Sequence, residues 1–296
     1  MLNDQDYDDY LLAGKIAGKA REFGANLIKV NASVEEVLDK VEEFIQEQGG
    51  QMAFPAQISL NQTAAHYCSP KDDPLRFKPG DLAKIDVGVH INGMIGDTAK
   101  TVDLGEHKNV TQASLDALNN VLKNIHVGIT NSEIGSIIET SIRKLGCVPV
   151  SNLSGHGLDK YKIHCSPGIP NFDTQENFKI KPGMTFAVEP FASTGAGFVI
   201  DGHDAEVFML QNMKSVRSPI TRTILTQIKT YNGLPFCSRW LANKFGMPKT
   251  NFALRELLNQ DIIRMYPPLS DKAKGMVSQH EHSFLAEEDK IIVTTK

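Results

Sequence analysis

The 296-residue chain is expected to fold as an α+β protein, with helices packed on curved, mainly antiparallel sheet and the whole arrangement occurring twice. Three observations predict this. Lys78-Pro79-Gly80 is followed six residues beyond its glycine by Asp86, and Lys181-Pro182-Gly183 is followed at the same spacing by Glu189. His66-Tyr67-Cys68-Ser69-Pro70 precedes the first turn and His164-Cys165-Ser166-Pro167 precedes the second. Further upstream, Val34, Val37, Leu38 and Ile45 match Ile134, Ile137, Ile138 and Leu145 at a constant offset of one hundred positions. Each half therefore presents a helix, a histidine, a turn, a strand and an acid in that order.

The individual elements follow from local patterns. Leu11, Leu12, Ile16 and Ala20 mark a helix over about Asp8 to Phe23. Ser33 with Glu36 forms a capping-box pattern ahead of Val34, Val37, Leu38, Val41, Phe44 and Ile45, and Gly49-Gly50 closes that helix. A second helix pair is predicted over Thr111 to His126 and Ser132 to Leu145. Short apolar runs punctuated by glycine predict strands at Ala83 to Val89, Met94 to Leu104, Met184 to Val188, Gly197 to Ile200 and Glu206 to Leu210.

Charge divides the chain. Residues 213–278 carry eleven Lys and Arg against Glu256, Asp261 and Asp271, a net of +8, whereas the remainder carries 20 basic against 32 acidic residues, or −12. This basic segment contains Ser218-Pro219, Leu234-Pro235, predicted helices over Ser238 to Phe245 and Asn251 to Arg264, and then Pro267-Pro268. The expected division is a core over 1–212, a basic helical insertion over 213–277, and strands over 278–296 that complete the core. Cys68, Cys147, Cys165 and Cys237 form no C-x-x-C pair and are expected to be reduced thiols. The acidic opening and the absence of any run near ~20 apolar residues predict a cytoplasmic chain with no membrane span.

Asn92-Gly93 signals a two-residue hairpin turn, and counting outward from it places Asp97 opposite Gly88. Asp86 and Gly88 share a face, so both carboxylates point the same way, and a slip of one residue would separate them. Glu189 follows Phe186-Ala187-Val188, where a charge is costly unless it is paired or bound to a cation. His156 lies between Gly155 and Gly157, where the backbone is expected to bend around a ligand. In His280-Glu281-His282 an extended backbone turns Glu281 one way and both histidines the other, so one side alone reaches a site. Asp86, Asp97, Glu189 and Glu281 together bring four negative charges, which two divalent cations balance. Oxygen-rich ligation with one imidazole suits Mn, Fe, Co or Zn.

The ordered set Asp86, Asp97, His156, Glu189 and Glu281, with His66 and His164 beside it, resembles the methionine aminopeptidases. The motifs that carry the resemblance span most of the chain: Phe54-Pro55 through Asn61, Ala64-Ala65-His66-Tyr67, Lys84-Ile85-Asp86-Val87-Gly88, Gly155-His156, Ile163-His164, Glu189-Pro190-Phe191 and Gln279 with Glu281-His282. The insertion of roughly sixty residues between Glu189 and Glu281 is similar to that of type II, archaeal-like members. The resemblance implies the pseudo-two-fold pita-bread (creatinase/aminopeptidase) fold and a binuclear site. In that site Asp86 chelates one metal, Asp97 and Glu281 bridge both, and His156 with Glu189 holds the other. It also implies that a metal-bridging hydroxide attacks the first peptide carbonyl, releasing N-terminal methionine from nascent polypeptides when the second residue is small. Glu189 becomes a proton shuttle, His66 and His164 catalytic and substrate-steadying groups, and Phe54 and Ile163 walls of the methionine pocket.

Two other readings share these residues: an X-Pro dipeptidase or aminopeptidase P-like hydrolase, and a pita-bread binding protein without catalysis. Retention of all five ligands opposes the second. The basic insertion, with Arg239, Lys244, Lys249, Arg255 and Arg264 on its helices, raises the further expectation of contact with the ribosome.

Overall fold

The computed structural model describes residues 3–296 and contains seven helices among them: α1 (Asp4–Leu27), α2 (Val34–Glu47), α3 (Lys108–Asn124), α4 (Asn131–Lys144), α5 (Pro219–Lys229), α6 (Ser238–Phe245) and α7 (Met247–Asn259). Helices α1, α2 and α4 are each started by a side-chain cap. Asn3 accepts the backbone N–H of Asp6, Ser33 that of Glu36, and Thr130 with Glu133 completes a reciprocal capping box at α4.

Two sheets, each covered by one helix pair, form the core. The first is built on the hairpin Leu82–Ile91 and Met94–Asp103, with Gln57–Leu60 and Gln51–Met52 beside it. Asn92 and Gly93 at its tip both adopt positive φ, and the register pairs Gly88 with Asp97, as the turn dictates. The second sheet orders Ile291–Val293, His282–Ala286, Thr185–Val188, Ser154–Asp159 and Lys162–Pro170. Helices α1 and α2 bury Ile16, Val34, Leu38 and Ile45 against Ile85 and Val87 of the first sheet. Helices α3 and α4 bury Leu118, Ile134 and Ile138 against Phe186 and Phe284 of the second. The two Lys-Pro-Gly turns correspond closely. Gly80 and Gly183 have φ of 90° and 84°, and in each turn the residue after glycine donates its N–H to the lysine carbonyl at 3.2 Å. A side chain at either glycine would meet the steric cost of the left-handed region.

A polar seam joins the halves. Glu281 donates its N–H to the Ala99 carbonyl, Asp97 donates its N–H to Ser283 Oγ, and Thr98 Oγ1 donates to the Glu281 carbonyl. The backbone bonds that would otherwise be orphaned between two sheets are thereby satisfied, and the acids of both halves come face to face.

Beyond the core, α5, α6 and α7 share an apolar cluster of their own, with Ile224, Ile228, Leu241 and Leu257 beside Phe208 and Phe236. Three short strands, Val207–Leu210, Phe236–Cys237 and Ile263–Tyr266, pair antiparallel beneath these helices. The predicted helix over Asn251 to Arg264 therefore starts earlier and ends at Asn259, because Ile263–Tyr266 leaves the helix to pair with Val207–Leu210. Helix α5 is an addition to the sequence reading. Ser218-Pro219 is a cap followed by proline in the first turn, with Ser218 accepting the Thr221 N–H.

Candidate metal centre

All nine residues singled out from the sequence line one cavity of about 230 Å³. Phe54, His66 and the hairpin acids Asp86 and Asp97 come from the first half; His156, Ile163, His164, Glu189 and Glu281 come from the second. The cavity also takes Gln57, Asn152, Pro235 and Tyr266, which sequence reasoning left unassigned. Pro235 and Tyr266 lie within the basic segment, so no local spacing links them to the acids.

Ligand atoms of Asp97, His156 and Glu281 lie within 4.8 Å of one another, and all three residues are buried. His156 Nε2 is 3.6 Å from Asp97 Oδ2 and 3.5 Å from Glu189 Oε1. Gln279 Nε2 reaches Glu281 Oε2 at 3.2 Å and Glu189 Oε2 at 3.4 Å, tying two acids together from behind. His164 stacks edge-on against His156 with ring centres 4.4 Å apart. Glu281 faces the cavity, whereas His280 Nδ1 meets Ser114 Oγ and His282 Nδ1 meets Thr295 Oγ1, so the triplet divides as its extended backbone requires.

His156 sits at an irregularity in its strand pairing, where the register with Lys162–Pro170 shifts between His156 and Gly157. It lies within the strand Ser154–Asp159, and its flanking glycines are required by crowding: a Cβ at Gly155 would meet the Ala187 carbonyl oxygen at 2.3 Å, and one at Gly157 the Ser166 carbonyl oxygen at 2.2 Å. Neighbouring strands close on the histidine because those side chains are missing. The space that a side chain at Gly88 would need is filled by the Phe54 ring, which would lie 2.1 Å from a Cβ there.

The electrostatics are those of a cluster without a counter-charge. Burial pushes the Asp86 carboxyl up to about 7. Asp97, Glu189 and Glu281 are raised well above their usual range, first by burial and then by neighbouring acids: Asp86 acts on Asp97, Asp97 and Asp86 on Glu189, and Asp97, Glu189 and Asp86 on Glu281. Among the described residues, His156 is the only ion-pair partner any of the four acids has, and burial holds its imidazole down to about 4. A neutral His156 that donates Nδ1–H to the Gly157 carbonyl at 3.3 Å aims its Nε2 lone pair at two carboxylate oxygens. With the acids ionised, that contact is repulsive unless a cation lies between. Asp86 Oδ1 and Asp97 Oδ1 are also buried without a hydrogen-bond partner. The donor set and its unsatisfied atoms fit a divalent metal centre of oxygen and imidazole ligands.

The profile of metallopeptidase family M24 matches residues 9–225 of this chain. The chain is 41% identical over 294 residues to a methionine aminopeptidase of Pyrococcus abyssi, covering 98% of this chain and 100% of that protein. It is 38% identical over 296 residues to a methionine aminopeptidase of Archaeoglobus fulgidus, covering all of both. Among solved structures, a methionine aminopeptidase from Thermotoga maritima superposes with a TM-score of 0.73 at 20% identity, covering 100% of this chain and 98% of that one. A prolidase from Pyrococcus horikoshii superposes at 0.63 and 18% identity, covering 99% of this chain and 62% of that one; both structures speak to the shared pita-bread fold alone. Seam, acid cluster and full-length similarity agree: the chain belongs to metallopeptidase family M24 and, within it, to the methionine aminopeptidases.

Proposed function

We infer that this chain is a metal-dependent aminopeptidase that removes N-terminal methionine from polypeptides. The observation that carries the reading is similarity to methionine aminopeptidases over the whole length of both chains, together with a buried acid and imidazole cluster whose donors fit divalent cations. Two divalent ions are proposed, because four carboxylates and one neutral imidazole balance two dications. Co, Mn, Fe and Zn all suit the donors. When bound, such ions supply an activated water and polarise the peptide carbonyl.

The chain's own residues do the rest. Asp86, Asp97, His156, Glu189 and Glu281 are the proposed ligands, and Glu189 is proposed to take and return a proton as well. His66 and His164 line the cavity beside the ligands, where N–H donors can steady the substrate and the charge that develops on its carbonyl. Phe54 and Ile163, both buried, form the apolar wall for the methionine side chain. Discrimination against a bulky second residue is proposed to come from crowding beside the ligands. Metal-loaded protein is therefore expected to release free methionine from Met-Ala-Ser, and chelation to stop it; no release under any of the four metals would overturn the reading.

We propose nascent polypeptide N-termini as the substrate and residues 213–277 as a basic unit set on the core. No helix among the described residues is long and apolar enough to cross a membrane. Arg239 drops out of the ribosome-contact set, because its side chain is fully buried against Asp39 and Glu42. Lys244, Lys249, Arg255 and Arg264 remain exposed and could meet ribosomal phosphates. Co-sedimentation with ribosomes is expected to weaken steeply with salt and to fall when these four are changed to Gln. Equal sedimentation of both proteins at each salt concentration would remove the docking idea.

A further inference from the structure

Gln57 stands at the junction of the two features that define the cavity on the side of the first half. In the sheet register it lies directly opposite Asp86, one of the proposed ligands. Its side chain is buried, and its Oε1 accepts the backbone N–H of His66 at 2.9 Å. That N–H belongs to a residue with φ of 68°, a left-handed conformation that histidine adopts only at a cost, and one that persists where surroundings over-determine it. The rest of the segment is tied to the same strand. Ile58 donates its N–H to the Tyr67 carbonyl at 3.1 Å, and Tyr67 donates its N–H to Ser59 Oγ at 3.2 Å. Three successive bonds thus hold residues 66–67 along Gln57–Ser59, but only the first is made by a side chain that itself lines the cavity. With the backbone held, the His66 ring stands edge-on to Tyr266 with centres 5.7 Å apart.

We propose that Gln57 is a positioning residue for the cleavage reaction: its amide oxygen locks His66 in the left-handed conformation that presents the imidazole to the substrate. This rests on the aminopeptidase reading above. Without the acceptor, the part-buried N–H of His66 loses its partner, and the backbone is free to relax toward the β region, which carries the ring away from its place. Metal ligation is untouched, because Gln57 pairs with Asp86 through strand backbones and makes no side-chain bond to it.

The test is a double-mutant cycle of Gln57→Leu and His66→Ala, read on Met-Ala-Ser, with metal content measured in parallel. Gln57→Leu keeps the volume and removes the acceptor. It is expected to lower kcat roughly tenfold with KM and bound metal near the native values. In the His66→Ala background it is expected to add nothing, because the group it acts through is gone. An unchanged kcat, or a full tenfold loss in both backgrounds, overturns the proposal. A second measurement needs neither variant nor activity: hydrogen exchange of the His66 backbone amide in the native protein. Slow exchange relative to the exposed neighbours of that loop is expected, and exchange at the rate of an open loop overturns the proposal even if Gln57→Leu does not fold. Should native protein release no methionine, the aminopeptidase reading fails while the amide measurement still reports on the Gln57–His66 lock.

Discussion

Asp97→Ala is expected to strip the protein of bound metal and to lower methionine release by at least a hundredfold. Outer partners of metal ligands alone typically cost ~10- to 100-fold, and Asp97 is in direct reach of the centre. It lies across from Gly88, with Oδ2 3.6 Å from His156 Nε2 and Oδ1 buried without any partner. The substitution should not unfold the chain. Burial and the charge of Asp86 already raise its carboxyl, so removing it relieves repulsion in metal-free protein instead of breaking a stabilising contact. The expected result is a metal-free melting temperature at or above the native one, lost metal by elemental analysis and lost activity. Glu288→Ala, at an exposed acid outside the site, should leave all three unchanged. Native metal content and activity in the Asp97 variant would contradict the placement of the centre.

Arg239→Ala is expected to destabilise the fold by ~3 to 5 kcal/mol, the usual cost of leaving a buried charge without its partner. Arg239 on α6 is fully buried, with Nε 3.0 Å from Asp39 Oδ1 and Nη2 2.9 Å from Glu42 Oε2 on α2. Its Nη1 also donates to the Ser69 carbonyl at 3.2 Å. Glu42 has further obligations, since it accepts from Trp240 Nε1 and from the Ala56 N–H. Truncating the arginine would leave this carboxylate buried with neutral donors only. Denaturant unfolding measures the loss. Because Pro235 and Tyr266 reach the cavity from the same part of the chain, KM for Met-Ala-Ser should rise as well. A midpoint within error of the native value would show that this cluster does not anchor the helical unit.

The positions where sequence reasoning succeeded are those governed by local rules. A two-residue turn fixes hairpin register, so Asn92-Gly93 suffices to locate Asp86 and Asp97 on one face. The repeated Lys-Pro-Gly turns located the second half's acid in the same way. Where packing decides, the sequence was silent or misleading. The glycines around His156 read as room for the backbone to bend, and the strand register does shift there, but they also admit the close approach of Ala187 and Ser166, which no local pattern announces. Arg239 read as one more surface charge, because a charge count carries no information about burial. Helix α5 was hidden behind Ser218-Pro219, whose pattern serves equally as a break or a start. Gln57 and Tyr266 reached the cavity through partners that no spacing announces.

The central claim is that this cavity cleaves after methionine when the second residue is small. It is tested most directly by incubating metal-loaded protein with an equimolar mixture of Met-Ala-Ser, Met-Leu-Ser and Ala-Pro-Ser and quantifying each product by mass spectrometry. The account predicts that Met-Ala-Ser is consumed first. One misplaced methylene in such a pocket changes discrimination by ~1 to 3 kcal/mol, so Met-Leu-Ser should lag by at least tenfold, and Ala-Pro-Ser should remain intact. Preferential consumption of Ala-Pro-Ser would contradict it and assign the same centre to X-Pro cleavage.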